Sequence, residues 1–248
     1  MTAVMVVTGG GRGIGAATVV LAAQRGYAVC FSYLGNSARA DAVVATVAAA
    51  GGRALAVQAD MGTEQGVIRL FEACDREFGA PDVLVNNAGI TGPIRRLVDI
   101  DTATLRQVFD INVIGYFLAC REAVRRMSTV SGGRGGAIVN VSSRAAEIGG
   151  AGEWVHYAAT KGATDTLTLG LAREVAREGI RVNAVRPGLI ETELHAMAGA
   201  PDRLERLSGG VPMGRAGSAE EVAETILWLA SPQASYVNGT LVEVGGGR

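Results

Sequence analysis

Tyr157 and Lys161 are the residues whose types and spacing point most directly to chemistry. If the segment is helical, their i, i+4 spacing places a phenol and an ammonium on one face of the helix. A nearby cation favours phenolate over phenol, so we expect the Tyr157 pKa to lie below its usual value of about 10. A tyrosine tuned in this way acts as a general acid or base. The pair therefore predicts a proton-transfer site.

The lysine of this pair is the only lysine among 23 basic residues, and the other 22 are arginine. An ammonium is a compact point charge suited to one hydroxyl or phenolate, whereas a guanidinium is a planar fork. The sequence thus indicates that position 161 requires an ammonium. The alternative is an arginine-rich composition that left one lysine by chance.

A glycine-rich loop, Thr8-Gly9-Gly10-Gly11-Arg12-Gly13-Ile14-Gly15, follows the first predicted strand and opens a predicted helix. Glycines allow a tight turn and let the backbone approach a pyrophosphate, which then faces the helix N-terminus. The loop lacks the GK[ST] ending of a P-loop. We interpret it as a dinucleotide-binding loop, the alternative being an ordinary glycine-rich connection. The predicted cofactor residues here are Gly9, Gly11, Arg12, Gly13, Ile14 and Gly15.

The end of the second predicted strand indicates which dinucleotide binds. NAD-binding chains commonly carry an acid there, hydrogen-bonded to the ribose 2′-hydroxyl. This chain has no acid between Tyr33 and Asn36, both predicted cofactor contacts, whereas Arg12 and Arg39 lie nearby in sequence. A guanidinium pairs well with a 2′-phosphate. The sequence favours NADP, with NAD as the alternative, and both arginines could instead be solvated surface residues.

Composition narrows the classes of partner and compartment. The net charge is −1 without blocks of like charge, which favours neither nucleic acid nor an anionic membrane as a partner. The three cysteines are scattered and predict reduced thiols, and two histidines predict no metal site. The first residues do not resemble a signal peptide. We therefore expect a cytoplasmic protein.

Short β-rich runs alternate with alanine-rich helical runs along the chain. The predicted strands are residues 4–7, 27–33, 53–58, 83–86, 137–141, 181–185 and 240–244. The predicted helices are residues 16–25, 38–50, 63–78, 102–127, 153–178 and 219–230. Apolar strands alternating with helices indicate a parallel sheet covered on both faces. We predict one α/β domain over residues 1–248, a doubly wound Rossmann fold with a seven-stranded parallel sheet.

These motifs together resemble those of the short-chain dehydrogenase/reductases. The resemblance rests on Tyr157-x-x-x-Lys161, the loop of residues 8–15, Asn86-Asn87-Ala88-Gly89 and Pro187-Gly188, which occur in the family's order. Within the family the chain looks most like bacterial 3-oxoacyl-(acyl-carrier-protein) reductases and glucose 1-dehydrogenases. The resemblance implies an NAD(P)-dependent oxidoreductase that assembles as a homotetramer.

The resemblance also implies roles for individual residues. Tyr157 would be the acid in reduction and the base in oxidation, and Lys161 would lower its pKa and bind the nicotinamide ribose. Ser143 would hydrogen-bond the substrate oxygen, and Asn112 would hold a water linked to Lys161. Asp60 would meet the adenine. Further cofactor contacts would come from Asn86, Ala88, Gly89, Pro187, Gly188, Ile190 and Thr192.

One spacing departs from the family pattern. Ser143 and Tyr157 are 14 positions apart, one more than is common in the family. We place the extra residue in a loop over the substrate, within residues 149–156, and keep Ser142 as the alternative to Ser143. Trp154, His156 and His195 are candidates for the substrate pocket, and residues 191–208 for a short lid.

Three functions are consistent with the sequence. The first is NADP-dependent reduction of a small ketone or β-keto ester, including acyl thioesters. The second is oxidation of a sugar or polyol with NAD or NADP. The third, from another class, is a non-catalytic nucleotide sensor, although a sensor does not need the set of Asn112, Ser143, Tyr157 and Lys161.

Overall fold

Seven parallel strands form one sheet in the order β3-β2-β1-β4-β5-β6-β7. This computed structural model describes residues 2–248, without the side chains of residues 195 and 197. The strands are β1 (Val4–Val7), β2 (Ala28–Tyr33), β3 (Arg53–Gln58), β4 (Val83–Asn86), β5 (Gly136–Val141), β6 (Ile180–Pro187) and β7 (Leu241–Val244). The order reverses direction between β1 and β4, as in doubly wound sheets.

Helices cover both faces of the sheet. They are α1 (Gly13–Gln24), α2 (Ser37–Ala49), α3 (Glu64–Glu77), α4 (Thr102–Phe109), α5 (Gly115–Met127), α6 (Ala145–Ile148), α7 (Val155–Glu174), α8 (Leu194–Met197), α9 (Arg203–Ser208) and α10 (Ala219–Ala230). Helices α1, α2 and α10 contribute to one hydrophobic core, and α3, α5 and α7 to the other. The expected fold, a parallel sheet with helices on both sides, is confirmed.

The first strand illustrates why this sequence forms a central strand. All four residues of β1 are buried, and they alternate between the two cores: Met5 and Val7 on one side, Val4 and Val6 on the other. A strand buried on both faces needs apolar residues at every position, which is why it appears as a continuous apolar run. Burial of β-branched side chains on both faces stabilises the centre of the sheet.

The predicted helix over residues 102–127 is not one regular α-helix. A π-helical turn, Asp110–Ile114, separates α4 from α5 and contains Asn112. The helix predicted over residues 153–178 is α7, followed by a separate 3₁₀ turn at Ala176–Glu178. Helix α1 begins at Gly13 because the glycine loop itself forms its first turn. The short helices α6, α8 and α9 were not predicted.

Candidate active site

A cavity of about 760 Å³ lies at the carboxyl ends of the central strands, where the strand order reverses. This position is the usual ligand site of open α/β sheets. It is lined by the following predicted cofactor residues: Gly9, Gly11, Arg12, Gly13, Ile14, Tyr33, Asn36, Asp60, Ala88, Gly89, Tyr157, Lys161, Pro187, Gly188, Ile190 and Thr192. Ser143 also lines it, whereas Gly15, Asn86 and Asn112 do not.

The glycine loop has the close approaches that a phosphate-binding turn requires. Gly9 and Gly13 have positive φ values of 69° and 51°, which favour glycine. A Cβ at Gly15 would lie 2.2 Å from the Gly9 carbonyl oxygen, so Gly15 is needed for packing and is not at the cavity surface. At Gly11, the nearest atom to an added Cβ is 3.6 Å away, on Tyr33. The loop therefore presents bare backbone to the cavity beside a helix N-terminus.

Thr8 and Asn87 hold this loop against the end of β4, and no role was predicted for either. The Thr8 hydroxyl oxygen accepts hydrogen bonds from the backbone N–H groups of Asn87 (2.9 Å) and Ala88 (3.0 Å). The Asn87 side-chain amide donates to the carbonyl oxygens of Thr8 and Gly9, both at 3.0 Å. The only sequence signal was a threonine before the glycines and an asparagine after a strand.

Asn86 requires a correction, because it does not line the cavity. Its side-chain amide donates to Oδ1 of Asn140 at 3.0 Å and to Sγ of Cys120 at 3.2 Å, and the residue is buried. Asn86 ends β4, where successive side chains point to opposite faces of the sheet. It therefore faces α5, and the residues that follow it, from Asn87 to Gly89, line the cavity.

Two other predicted cofactor residues have local structural roles at the rim of the cavity. The Asn36 side chain caps α2 by accepting a hydrogen bond from the backbone N–H of Arg39 at 3.0 Å. The Asp60 carboxylate accepts a hydrogen bond from the backbone N–H of Gly62 at 2.9 Å. Both line the cavity, so their contacts with a cofactor stay predictions.

Arg39 forms an ion pair with Glu193 at this rim. The hydrogen bond from Arg39 is the main cause that lowers the pKa of Glu193, and the charge of Arg12 adds to it. Two guanidinium groups therefore lie near one carboxylate, beyond the end of β2. Glu193 follows Thr192, whose methyl group lies 3.3 Å from the position of a Cβ on Gly13. The segment after β6 thus crosses over the glycine loop.

Helix α7 presents Tyr157 and Lys161 together at the other end of the cavity. The Lys161 ammonium donates hydrogen bonds to the carbonyl oxygen of Val141 at 2.7 Å and to the hydroxyl of Tyr116 at 3.4 Å. Its nitrogen lies 5.6 Å from the Tyr157 ring centre, and Lys161 is only 3% exposed. The predicted shared helix face is confirmed.

Burial sets the protonation of both groups. It lowers the pKa of Lys161 to about 7, against the opposing charge of Asp165. Burial also raises the pKa of Tyr157, and a hydrogen bond with the Ser143 side chain opposes this shift. The expected lowering of the Tyr157 pKa is therefore wrong for this structure, because desolvation of the phenolate is the dominant effect. At neutral pH Tyr157 is a phenol that can donate a proton.

The two serines after β5 have different partners. Ser143 meets the Tyr157 phenol, and its hydroxyl oxygen accepts a hydrogen bond from the Ala145 backbone N–H at 3.1 Å. Ser142 is buried, and its hydroxyl donates to the carbonyl oxygen of Lys161 at 3.3 Å. The geometry therefore favours Ser143 over Ser142 as the serine that meets a substrate.

Asn112 lies in the π-helical turn, fully buried. Its side-chain amide nitrogen donates to the Ile90 carbonyl oxygen at 2.8 Å and to the Thr160 hydroxyl at 3.1 Å. Its side-chain oxygen accepts from the Ile90 backbone N–H at 2.9 Å. Asn112 thus ties the loop after β4 to α7, and its expected role in a water link to Lys161 stays a prediction. π-Turns frequently occur at functional sites.

Asp165 is a charged neighbour of Lys161 that the sequence analysis missed. It lies one helical turn further along α7, is buried, and receives hydrogen bonds from Arg186 at 2.7 and 3.2 Å, both on Oδ2. Its Oδ1 has no hydrogen-bond partner among the described residues. The sequence signal was the i, i+4 spacing of a lysine and an aspartate.

The substrate end of the cavity is built around Trp154. Its ring lies edge-on to Tyr157, with 6.3 Å between ring centres, and the Arg203 guanidinium lies 4.5 Å above the indole. His156 does not line the cavity, because it is buried with Nε2 2.8 Å from the Thr91 carbonyl oxygen. The side chain of residue 195 lies outside the described part. Arg203 was not predicted.

Metal and membrane sites have no support among the described residues. No three His, Cys, Asp or Glu side chains in this part of the chain are grouped to hold a metal ion. None of the helices described is long and apolar enough to cross a bilayer. The three cysteines are buried thiols without disulfides.

Comparison with known proteins extends over nearly the whole chain. A family model described as enoyl-(acyl carrier protein) reductase matches residues 9–248. The uncharacterised oxidoreductase YgfF of Escherichia coli is 50% identical over 246 residues, covering 99% of this chain and 100% of that protein. A cis-4-hydroxycyclohexanecarboxylate dehydrogenase of Sinomonas cyclohexanicum is 43% identical, covering 98% of this chain and 95% of that protein.

Solved structures of related proteins also match this fold over nearly the whole chain. A short-chain dehydrogenase/reductase of Serratia marcescens is 36% identical with a TM-score of 0.91. A blue fluorescent protein from a metagenomic library, in complex with NADPH, is 35% identical with a TM-score of 0.89. Each comparison covers 99% of this chain and 97% of the other.

Proposed function

The chain belongs to the short-chain dehydrogenase/reductase family, and from this premise we propose that it reduces the carbonyl group of a small molecule with NADPH. The observation that carries this proposal is the position of the Tyr157 phenol, in contact with Ser143 and beside the buried Lys161. A phenol that retains its proton at neutral pH suits the donor needed in reduction.

The roles of the protein groups follow from charge development. A bound nicotinamide dinucleotide supplies the hydride. As the substrate carbonyl oxygen gains negative charge, Tyr157 donates its proton to that oxygen and Ser143 donates a hydrogen bond to it. Lys161, held by the Val141 carbonyl, places a positive charge beside the phenolate that remains. Asn112 keeps the loop after β4 packed on α7, the helix that carries Tyr157 and Lys161.

The residues present fit a dinucleotide. The glycine loop exposes backbone at the N-terminus of α1, and Gly9 and Gly13 occupy backbone conformations that favour glycine. Ala88, Gly89, Pro187, Gly188, Ile190 and Thr192 line the same cavity toward Tyr157. Asp60 and Tyr33 border its far end, where an adenosine would lie. These contacts support the proposal that the cofactor extends from β2 to α7.

NADPH is proposed over NADH on the charges at the far end. No carboxylate occurs in residues 34–40, directly after β2, whereas Arg12 and Arg39 both line the cavity there. A guanidinium can bind a 2′-phosphate through two hydrogen bonds. The related blue fluorescent protein in complex with NADPH supports the same choice. Glu193, which pairs with Arg39, opposes it to some extent.

Oxidation of an alcohol is the second candidate, and it uses the same residues in reverse. The Sinomonas relative is named for oxidising a hydroxyl group on a carboxylic acid, and the sugar or polyol alternative belongs to this class. Oxidation requires Tyr157 to start as the phenolate that accepts the proton, and its raised pKa disfavours the phenolate at neutral pH. A purely nucleotide-binding sensor is disfavoured because the complete set of proton-transfer residues is present.

We further propose a homotetramer of single-domain subunits. Phe109, Ile114 and Phe117 are exposed apolar residues near one another along α4, the π-turn and α5. On α7, Gly170 has open space around it, which would let a second helix approach closely. Exposed apolar surface of this kind marks interaction sites.

A direct assay tests the proposed function. The purified protein is mixed with NADPH or NADH and a panel of ketones, and with NADP⁺ or NAD⁺ and the matching alcohols, and nicotinamide absorbance is followed. The proposal expects NADPH consumption with at least one class of carbonyl. Binding of NADPH without turnover of any carbonyl or alcohol would instead support a sensor.

A further inference from the structure

A buried arginine occupies the end of the cavity away from the cofactor loop. Arg203 is the first residue of α9, is only 9% exposed, and lines the same cavity as Tyr157. Arginine is rarely buried without a partner, because desolvating a charge is costly. Its presence beside a substrate pocket therefore requires an explanation.

The hydrogen-bonding capacity of Arg203 is only partly used. Both carboxylate oxygens of Glu153 contact a single guanidinium nitrogen, Nη1, at 2.5 and 2.6 Å. Nε is buried and has no hydrogen-bond partner among the described residues. A guanidinium has five N–H donors in a planar fork, so this one-nitrogen contact differs from the two-nitrogen pairing that fits a carboxylate best.

The position of Arg203 relative to the reacting group is set by Trp154. The indole is a neighbour of both groups: the guanidinium lies 4.5 Å from its ring centre, and the Tyr157 ring centre lies 6.3 Å from it. The guanidinium and the phenol ring therefore contact the same indole and lie in the same part of the cavity. A small molecule with its carbonyl at Tyr157 would reach Arg203 with a group a few carbon atoms away.

Two other cationic groups that line the cavity, Arg144 and Lys161, are already engaged. Arg144 lines the cavity, but it pairs with Glu147 and Glu243, and its Nε donates to the Arg248 carbonyl oxygen at 2.7 Å. The Lys161 ammonium is bound to the Val141 carbonyl. Arg203, which lies over Trp154, is by contrast a cation with identified donor capacity to spare, at its Nε.

We propose that Arg203 recognises the carboxylate of an oxo acid substrate, the carbonyl of which lies at Tyr157. This inference rests on the proposed reductase function and adds the substrate class. Glu153 is the more exposed partner of the ion pair, and it occupies the fork until a substrate carboxylate replaces it. Stacking on Trp154 holds the guanidinium plane in place.

The test compares the NADPH-dependent reduction of an oxo acid with that of its own methyl ester. Both a cyclic and a linear acid–ester pair are used. The measured quantity is the ratio of kcat/KM for the acid to kcat/KM for the ester. We expect wild type to prefer the acid, and Arg203→Met to lower the ratio by about 10- to 100-fold, the scale of a lost charged hydrogen bond. Glu153→Gln should raise the ratio, because it removes a competing carboxylate.

The control variant is Arg206→Met, in the same short helix. Arg206 is exposed, pairs with Asp202 and does not line the cavity, so its removal should leave the ratio unchanged. Calorimetry gives a readout without turnover: a saturated carboxylic acid should bind the NADP⁺ complex of wild type more tightly than that of Arg203→Met. Arg203→Gln, which removes the charge but keeps a polar side chain, serves if the methionine variant does not fold.

The outcomes separate the two proposals. If wild type reduces ketones but shows no preference for the acid, or if the arginine variants keep it, carboxylate recognition is overturned and the reductase function stands. If kcat/KM falls equally for acid and ester in both the Arg203 and the Glu153 variants, the pair only holds α9 in place. That outcome also overturns carboxylate recognition. If no carbonyl is reduced at all, both proposals fall.

Discussion

The Lys161 ammonium donates a hydrogen bond to the backbone carbonyl oxygen of Val141, with 2.7 Å between nitrogen and oxygen. Val141 is the last residue of β5, and Lys161 lies in the second turn of α7. The bond therefore joins the end of a central strand to the helix that carries Tyr157. Because the acceptor is backbone, this position of the charge is fixed by the fold and not by another side chain.

Replacement of Lys161 by arginine should abolish most activity although the charge is retained. The ammonium is buried, with Tyr116 and Tyr157 rings 5.1 and 5.6 Å from its nitrogen, so a planar fork cannot occupy the same place. We expect kcat to fall by about 100-fold or more, on the scale of a disrupted acid–base step. Single-turnover kinetics with NADPH measure it, and near-normal kcat would contradict the assigned role.

Removal of the Tyr157 hydroxyl should stop turnover and spare cofactor binding. Tyr157→Phe keeps the ring that packs against Trp154 and deletes only the proton donor. Turnover should fall by at least about 100-fold, while NADPH titration of the protein's fluorescence stays close to wild type. Tyr236→Phe is the matched control, because that phenol is fully exposed. Substantial activity in Tyr157→Phe would refute the assignment.

Loss of the Asp165 charge should shift the pH dependence of reduction. The titratable groups facing Lys161 are the phenols of Tyr116 and Tyr157 and the carboxylate of Asp165, and Asp165 is the one whose charge raises the Lys161 pKa. Lysine is charged below its pKa of about 7, so activity that needs the charge declines as pH rises through this value. Asp165→Asn lowers that pKa further.

The basic limb of the kcat/KM profile should therefore move to lower pH in Asp165→Asn. Glu147→Gln is the control, since Glu147 also contacts Arg186 but is not among the groups that shift the Lys161 pKa. A limb that stays in place in Asp165→Asn, or moves equally in both variants, would show that Asp165 serves only to hold Arg186.

Cofactor preference should depend on the pair of Arg39 and Glu193. Arg39→Gln removes one candidate partner of a 2′-phosphate, so kcat/KM should fall for NADPH by about tenfold and much less for NADH. Glu193→Gln removes the competing carboxylate and should favour NADPH. Arg25→Gln, at an exposed pair with Glu224 away from the cavity, is the control. Equal use of NADH and NADPH by wild type would refute the preference.

Assembly should depend on the exposed apolar residues of α4 and α5. Phe117 is 50% exposed, and replacing it with arginine places a charge in the proposed contact between subunits. Light scattering at micromolar concentration should give the mass of four chains for wild type and a smaller mass for Phe117→Arg. A wild-type mass near 25.5 kDa, that of one chain, would exclude the tetramer.

The sequence by itself determined the features that depend on local spacing. The pairing of Tyr157 with Lys161 needs only the helical repeat, and the alternation of apolar strands with helices needs only the two periodicities. The glycine loop was recognisable because backbone freedom is a property of single residues. Most of the expected cofactor residues line one cavity because they follow strands whose ends a parallel sheet aligns at one edge.

Only the tertiary structure decided what depends on contacts between distant parts of the chain. The Asn87 side-chain amide donates to the carbonyl oxygens of Thr8, 79 residues away, and Gly9, so Asn87 and not Asn86 holds the loop. The different hydrogen-bond partners of Ser142 and Ser143 depend on how the end of β5 packs against α7. The Tyr157 pKa rises because burial outweighs its neighbours, and Arg203 reaches Trp154 through a segment with no local signal. Desolvation and long-range packing are properties of the assembled fold, which local spacing does not encode.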